Sequence, residues 1–469
     1  MSDTALLQRR LAALRVARAA PPASPPPASA LPARSRTDGA GRAERLAAAV
    51  GGECHGGPGG HVVRVEPASI ALPLVRSRLA SLPGQPPAEA RLVCLDTETT
   101  GLGTAAGTLA FLVGLGWWEG DRFRQVQLLC PDHADEPALL SALDATIPPD
   151  AWLVTYNGRG FDWPLLVTRY RLARRAAPAH AGMLDLLPHV RRLFRHRLGD
   201  ARLATVEREL LGVRRDADVG GWEIPERYLS FVRGGCATPL APVVVHNAED
   251  VRSLGRLLVH LDQRYADPDR RPLAPSGDLV ALARGFTRER RHDAALGCLD
   301  EADAGWRSPA LGSGAWPSGA AHPIVTVSRE RIRAERARTL RRLGRPGDAA
   351  AAWEAIAVAG GPGAARAWVE VAKLREHALA DHAGALAATA AALRAAERSR
   401  FFGAPDPMLE PALAHRRRRL VDLLRRAVAR DTARVGRRTP ADGAPPDGVP
   451  FGPRLPEGVP HGRARARLR

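Results

Sequence analysis

From Arg91 to about Asp262, short apolar runs and helix-spaced segments follow one another in an order that few folds can accommodate. Leu92–Asp96 (LVCLD) is an apolar run that ends on an acid, and Phe111–Trp118 and Arg124–Cys130 follow at hairpin-like spacing. Glu136–Ile147 carries apolar residues at helical spacing, and Ala151–Asn157 (AWLVTYN) reads as a further buried strand. The resulting pattern, β-β-β-α-β-α, predicts an α/β fold in which helices pack on a mixed sheet. About 170 residues are enough to bury a proper core.

Beyond about Gly277 the rhythm becomes helical throughout. The Ala-rich segments that start at Asp293, Asp348 and Gly384 suit helix-turn-helix hairpins, and the last two are spaced close to the roughly 34 residues of a tetratricopeptide repeat. Pro21–Arg45 and the stretch from about Arg437 are rich in Pro and Ala, with no apolar period. The predicted organisation is therefore a basic segment lacking order over 1–60, a leader over 61–90 and an α/β domain over 91–265. An all-α, tetratricopeptide-like region over 277–430 and a basic tail lacking order over 437–469 complete it.

Composition narrows the possible functions. Lys and Arg total 68 against 50 Asp and Glu, a net charge of +18. Lys373 is the only lysine, and 45 Gly and 40 Pro with abundant Ala point the same way, to a GC-rich coding bias that sets much of the composition. The charge favours a polyanionic partner without identifying it. No apolar run approaches the roughly 20 residues of a membrane span, and the Arg-rich stretch Ala5–Ala20 lacks the apolar core of a secretory signal, so no membrane partner is expected. Cys54, Cys94, Cys130, Cys236 and Cys298 lie far apart with no CxxC pair, which fits a reducing cytoplasm.

The residues able to carry chemistry are acids. Asp96 and Glu98 in DTETTG stand two apart at the end of a strand and so share a face. Side-by-side carboxylates repel unless a cation lies between them, and hard divalent ions take such oxygen ligands. Tyr156–Asp162 (YNGRGFD) follows another strand and supplies Asp162 near a helix start, aimed by the Asn157-Gly158 turn. In HNAED, His246 and Asp250 are four apart on one helix face. Together these are the parts for two-metal phosphoryl chemistry with an imidazole to take a proton.

In that combination the chain resembles the ribonuclease H-like 3′–5′ exonucleases of the DEDD class. LDTETTG looks like the first motif, YNGRGFD the second and HNAEDV the third. The stretch from about Arg91 to Leu258, with TYNGRGFDWPLL, IPERYLSFVRGG and VVHNAEDVRSL in order, is similar to the bacterial YprB-type ribonuclease H-like domain. The resemblance implies a metal-dependent, DnaQ-like 3′–5′ exonuclease in the bacterial cytoplasm, acting on a DNA or RNA 3′ end with two Mg²⁺ or Mn²⁺ ions. It implies Asp96, Glu98 and Asp250 as direct metal ligands, Asp162 as a ligand mainly through water, and His246 as the group that orients or deprotonates the attacking water. Thr99, Asn157 and Phe161 become substrate-binding candidates. His246 precedes Asp250 by four residues, the spacing of tyrosine-type members, whereas histidine-type members use five.

Other residues read as structural. Asp185 suits a hydrogen bond near the site or a helix cap, and Trp117, Trp118 and Trp163 suit core packing more than base stacking. GLGTAAGT (Gly101–Thr108) reads as a turn beside the acids. His189 and His196 share a helix with Arg191, Arg192, Arg195 and Arg197, which is either a solvated basic face or a phosphate-tracking surface. The alternatives to an exonuclease are a non-catalytic nucleic-acid scaffold that recruits a protein partner through its helical region, and a structure-selective endonuclease on the same site.

Overall fold

The structure is a computed structural model of the chain and describes residues 36–57, 59–101, 107–215, 218–306, 328–401 and 406–436. The chain forms two compact units, 1–352 and 353–469.

In the first unit eight strands make one mixed sheet. They are β1 (Glu53–Gly57), β2 (Gly60–Val65), β3 (Ile70–Ala71), β4 (Arg91–Thr99), β5 (Ala110–Glu119), β6 (Arg122–Leu129), β7 (Ala151–Thr155) and β8 (Gly182–Asp185). Their order is β1-β2-β6-β5-β4-β7-β8, with β3 also on β6. The pairings from β1 through β4 are antiparallel, while β4–β7 and β7–β8 are parallel. The central β4 is covered on both faces, which is why Leu92–Leu95 is an unbroken apolar run.

Eight helices accompany the sheet: α1 (Arg36–Val50), α2 (Arg76–Ala80), α3 (Glu136–Thr146), α4 (Asp162–Leu172), α5 (Leu186–Phe194), α6 (Leu203–Val206), α7 (Ile224–Val232) and α8 (Ala241–Leu261). On one face Val93 and Leu95 pack with Leu139 of α3, Leu165 of α4 and Tyr228 of α7. On the other, Leu92 and Cys94 pack with Val190 of α5 and Leu254 and Leu258 of α8. Trp117, Trp118 and Trp163 pack partly buried against these cores, as their spacing suggested.

The N-terminal expectation needs correction. Residues 36–57 are not a segment without order, because α1 buries Ala43, Leu46 and Ala47 and β1 pairs with β2. An apolar face built from two alanines and one leucine is hard to see in an Ala-biased chain. The 61–90 stretch likewise belongs to the sheet, since β2 and β3 both pair with β6. Residues 1–35, 102–106 (most of GLGTAAGT) and 437–469 lie outside the described residues.

A helical region of many helices follows: α9 (Ser276–Arg288), α10 (His292–Ala304), α11 (Arg329–Arg342), α12 (Pro346–Ala359), α13 (Ala364–His377), α14 (His382–Phe401) and α15 (Leu409–Gly436). Helices α9 to α11 belong to the first unit and share the second core, through Leu279, Ala295 and Ile332. A buried ionic knot ties α9 to the sheet domain. Asp278 accepts hydrogen bonds from Arg197 (2.9 Å) and from the Tyr265 hydroxyl (2.6 Å), and lies 3.1 Å from His196 Nε2. In the second unit Ala364 and Ala365 at the start of α13 meet Ala395 and Ala396 near the end of α14, an antiparallel pair closed by small side chains. No described helix is long and apolar enough to cross a membrane.

Candidate active site

The strand end of β4 carries Asp96 and Glu98 on one face, opposite Gly114 and Leu112 of β5. Gly114 matters because a Cβ there would lie 2.3 Å from Asn247 Oδ1. Its absence lets α8 come down on the sheet, where Asn247 Nδ2 donates to Asp96 Oδ2 at 2.8 Å. Gln127 donates to Asn247 Oδ1 at 2.9 Å, so the amide is held from both sides.

The loop after β7 is shaped for its task. Asn157 has φ 68°, in the left-handed region, and Gly158 sits where a Cβ would meet Thr155 at 2.6 Å. Asp185 Oδ1 accepts from Asn157 N at 2.8 Å and caps α5 by accepting from Leu187 N at 3.1 Å. That is the structural role read for Asp185. The loop delivers Asp162 to the first turn of α4, and Thr97 Oγ1 donates to its Oδ1 at 2.5 Å.

On α8, His246 and Asp250 face β4. His246 Nε2 is 3.8 Å from Glu98 Oε1 and 3.7 Å from Asp250 Oδ2. Glu98, His246 and Asp250 each offer a ligand atom within 4.8 Å of the other two. Nδ1 of the same ring lies 2.6 Å from Asp218 Oδ1 and 3.3 Å from Arg215. With Nδ1–H donating to Asp218, Nε2 is turned toward Glu98 and Asp250. Arg215 also hydrogen-bonds Asp250 and Glu207, and Glu207 accepts from Ser253 Oγ at 2.5 Å.

The electrostatics bear out the crowding. Burial pushes the Asp96 carboxyl well above the usual carboxylate range, and Asp250, Asp162 and Glu98 push it further, against the Asn247 hydrogen bond. Glu98 is raised well above its ordinary value by burial and then by Asp250, Asp162 and Asp218, with Arg215 opposing. Asp162 is raised by burial, although hydrogen bonds from Thr97 resist. Acids that neighbour one another in a half-dry cleft are unstable as a set of free anions. Oxygen donors with one imidazole are what a hard divalent ion takes, and an ion's charge would offset the repulsion.

Thus Asp96, Glu98, Asp162, His246 and Asp250 converge from three elements. Among the substrate candidates, Phe161 is 52 % exposed beside Asp162. Thr99 spends its hydroxyl on the carbonyl of Gly101 at 2.6 Å, and Asn157 serves the turn. Asn247, Asp218, Arg215 and Glu207 were not singled out in the sequence. Asn247 sits between His246 and Asp250, and Glu207 and Arg215 lie in the VERELLGVRR segment that shares the family resemblance, whereas Asp218 carries no such signal.

Residues 93–262 match a protein family described as the RNase_H superfamily. The chain is 38% identical over 215 residues to the uncharacterized protein YprB of Bacillus subtilis (strain 168), covering 45% of this chain and 51% of that protein. The chain thus spans about half the length of that relative. With this sheet order and these helices on its two faces, the domain is ribonuclease H-like.

Proposed function

We propose that the sheet domain is a metal-dependent nuclease, a 3′–5′ exonuclease of the DEDD type that hydrolyses phosphodiester bonds of DNA or RNA in a bacterial cytoplasm. The observation that carries the reading is the convergence of Asp96, Glu98, Asp162, Asp250 and His246 in one half-buried cleft. The superfamily match of residues 93–262 supports a nuclease in general terms. Asp96, Glu98 and Asp250 would hold two Mg²⁺ or Mn²⁺ ions directly, with Asp162 assisting. Bound there, such ions activate water and neutralise charge that develops on a phosphate.

The remaining roles belong to the chain. His246 Nε2 accepts the proton of the attacking water, and Asp218 on Nδ1 holds the ring and stabilises the imidazolium that results. Asn247 pins the Asp96 carboxylate, and Thr97 does the same for Asp162. Arg215 neutralises part of Asp250 and Glu207. The helical region is read as tetratricopeptide-like hairpins that offer a platform to a protein partner; the antiparallel pairing of α13 and α14 supports that reading.

The test is cleavage of DNA and RNA labelled at either end, with Mg²⁺ or Mn²⁺, wild type beside Asp96→Ala. Stepwise loss from the 3′ end by the wild type alone is the expected result. Intact substrates across the whole panel would sink the reading.

A further inference from the structure

A second charged feature lies on the same unit and plays no part in the cleft. Helices α5, α9 and α11 enclose a groove of about 800 Å³ lined by Arg191, Arg192, Arg195, Arg284, Arg288 and Arg331. Arg284 is paired with Glu335 at 3.0 Å. Arg191, Arg192, Arg195, Arg288 and Arg331 are exposed, and among the described residues none of them has a carboxylate within ion-pair distance. The one acid in the lining, Asp200, is engaged by the backbone N–H of Arg202 at 3.0 Å. Glu289, next to Arg288, accepts from Gly84 N at 2.8 Å. Burial lowers the Arg192 guanidinium from its ordinary value and Arg288 lowers it further, with Glu289 opposing. Like charges that outnumber the acids beside them make a field that an anion relieves.

The groove is built rather than accidental. Gly277 of α9 lies where a Cβ would meet His196 Nε2 at 2.4 Å, and Gly84 where one would meet His189 Cε1 at 2.7 Å. The Asp278 knot ties α9 to the turn that follows α5. His189, whose pKa burial lowers to about 4, packs against Gly84, and His196 is held beside Asp278, so the arginines carry most of the groove's exposed charge. The groove also reaches the cleft's border. Its lining residue Ala201 accepts a hydrogen bond from the Tyr156 hydroxyl at 2.8 Å, and Tyr156 opens the loop that delivers Asp162. Arg191, Arg192 and Arg195 follow α5 away from Asp185, whose carboxylate holds that loop.

We propose that this arginine groove binds the phosphodiester backbone of a nucleic-acid strand whose end lies in the carboxylate cleft. Several exposed guanidiniums along one groove, with Leu198 and Ala281 half-buried between them, match repeating phosphates better than a protein surface. The identity of the polyanion rests on the nuclease reading; the existence of the site does not. Helices α9 and α11 thereby become part of the substrate surface.

The test is binding of a fluorescent single-stranded 20-mer, DNA and RNA, to the full chain in EDTA. The variant Arg191→Gln/Arg195→Gln/Arg288→Gln removes three exposed, unpaired charges, so its melting temperature should match the wild type. Its affinity should fall roughly ten- to hundredfold, and the slope of log affinity against log salt by about two, since each lost phosphate contact on a single strand takes away about 0.7. The matched control Arg417→Gln/Arg425→Gln/Arg426→Gln should bind as the wild type does. Unchanged affinity and slope in the groove variant, or equal loss in the control, would overturn the proposal. So would equal loss of a poly-glutamate probe, which would make the groove a general anion trap. The two readings separate cleanly. Groove-dependent binding by a protein that cuts nothing with Mg²⁺ or Mn²⁺ fells the nuclease reading alone, and cleavage with groove-independent binding fells the groove alone.

Discussion

In the cleft, Asp96, Glu98, Asp162 and Asp250 are drawn from β4, α4 and α8 into a space where Glu98 and Asp250 keep only 13% and 19% of their side-chain surface. In the groove, Arg191, Arg192, Arg195 and Arg288 are exposed along and just after α5 and on α9. Both gather like charge, but at different cost. The acids repel at short range with little solvent to screen them, and their raised carboxyls record that cost. The arginines are screened by water and salt and ask little of the fold. A partly dry cluster of one sign is built for chemistry with a bound counter-ion, and a wet one for reversible attraction. Substitutions should therefore act oppositely in the two places, on rate in the cleft and on salt-dependent affinity in the groove.

The largest effect is expected at Asp96. Asp96→Asn should lower the cleavage rate by about 10³-fold or more, on the scale of several kcal/mol of charge stabilisation by bound ions. The same change should leave the EDTA-treated protein as stable as the wild type or more so, because it removes one of the repelling charges. Thermal melts with and without Mn²⁺ check this. Mn²⁺ at about a hundred times its Kd should stabilise the wild type by about 2.7 kcal/mol and the variant by much less. A variant that loses stability in EDTA would show that the acids are not in conflict.

How much of this was legible in the sequence depended on the kind of signal. Strands β4 to β7 showed as apolar runs bounded by turns, and each catalytic candidate lay directly after such a run or on a helix with an obvious face. Helix α1 was hidden because Ala43 and Ala47 carry little apolar contrast. Asp218, Arg215 and Glu207 were hidden for another reason. They come from the stretch between α6 and α7, where Glu207 opens a short π-helical turn and Arg215 and Asp218 lie in the loop after it, and only the fold brings them to His246 and Asp250. The groove was half legible, since the basic face of α5 was visible but its partner arginines on α9 and α11 lie far along the chain.

The knot beneath the groove offers the next test. Burial raises the Asp278 carboxyl, but hydrogen bonds from His196 and Arg197 and the Arg197 charge outweigh it and hold the group below its ordinary 3.8. A depressed folded value means that the ion pair's stability is fully present above the ordinary value and is lost as pH falls through the folded one. Asp278→Asn strands the Arg197 charge and should cost about 3–5 kcal/mol near neutral pH, as broken buried pairs do. Denaturant melts from pH 7 downward should show the gap between variant and wild type closing under acid. A gap independent of pH would mean that Asp278 acts by shape alone. Gly114→Ala makes a smaller test on the cleft side. The added methyl drives into Asn247 and Val251 and should cost about 1–3 kcal/mol, while slowing cleavage through the misplaced Asp96.

The smallest expected effect separates orientation from charge at His246. Asp218 lies 2.6 Å from His246 Nδ1 and 3.4 Å from Arg215, and its charge also raises Glu98, so orientation and charge both reach the cleft from it. Asp218→Ala frees the imidazole to turn and should lower the rate about tenfold, in the lower part of the range for partners that orient a ligating histidine. Asp218→Asn keeps an oxygen that can accept from Nδ1–H while dropping the charge, so it should recover most of the loss if orientation is what Asp218 supplies. If Asn proves as slow as Ala, the negative charge beside the ring is what counts, and the cleft then depends on five acids in place of four. Rates of both variants on one labelled strand, measured at saturating Mn²⁺ to remove differences in ion affinity, decide between the two.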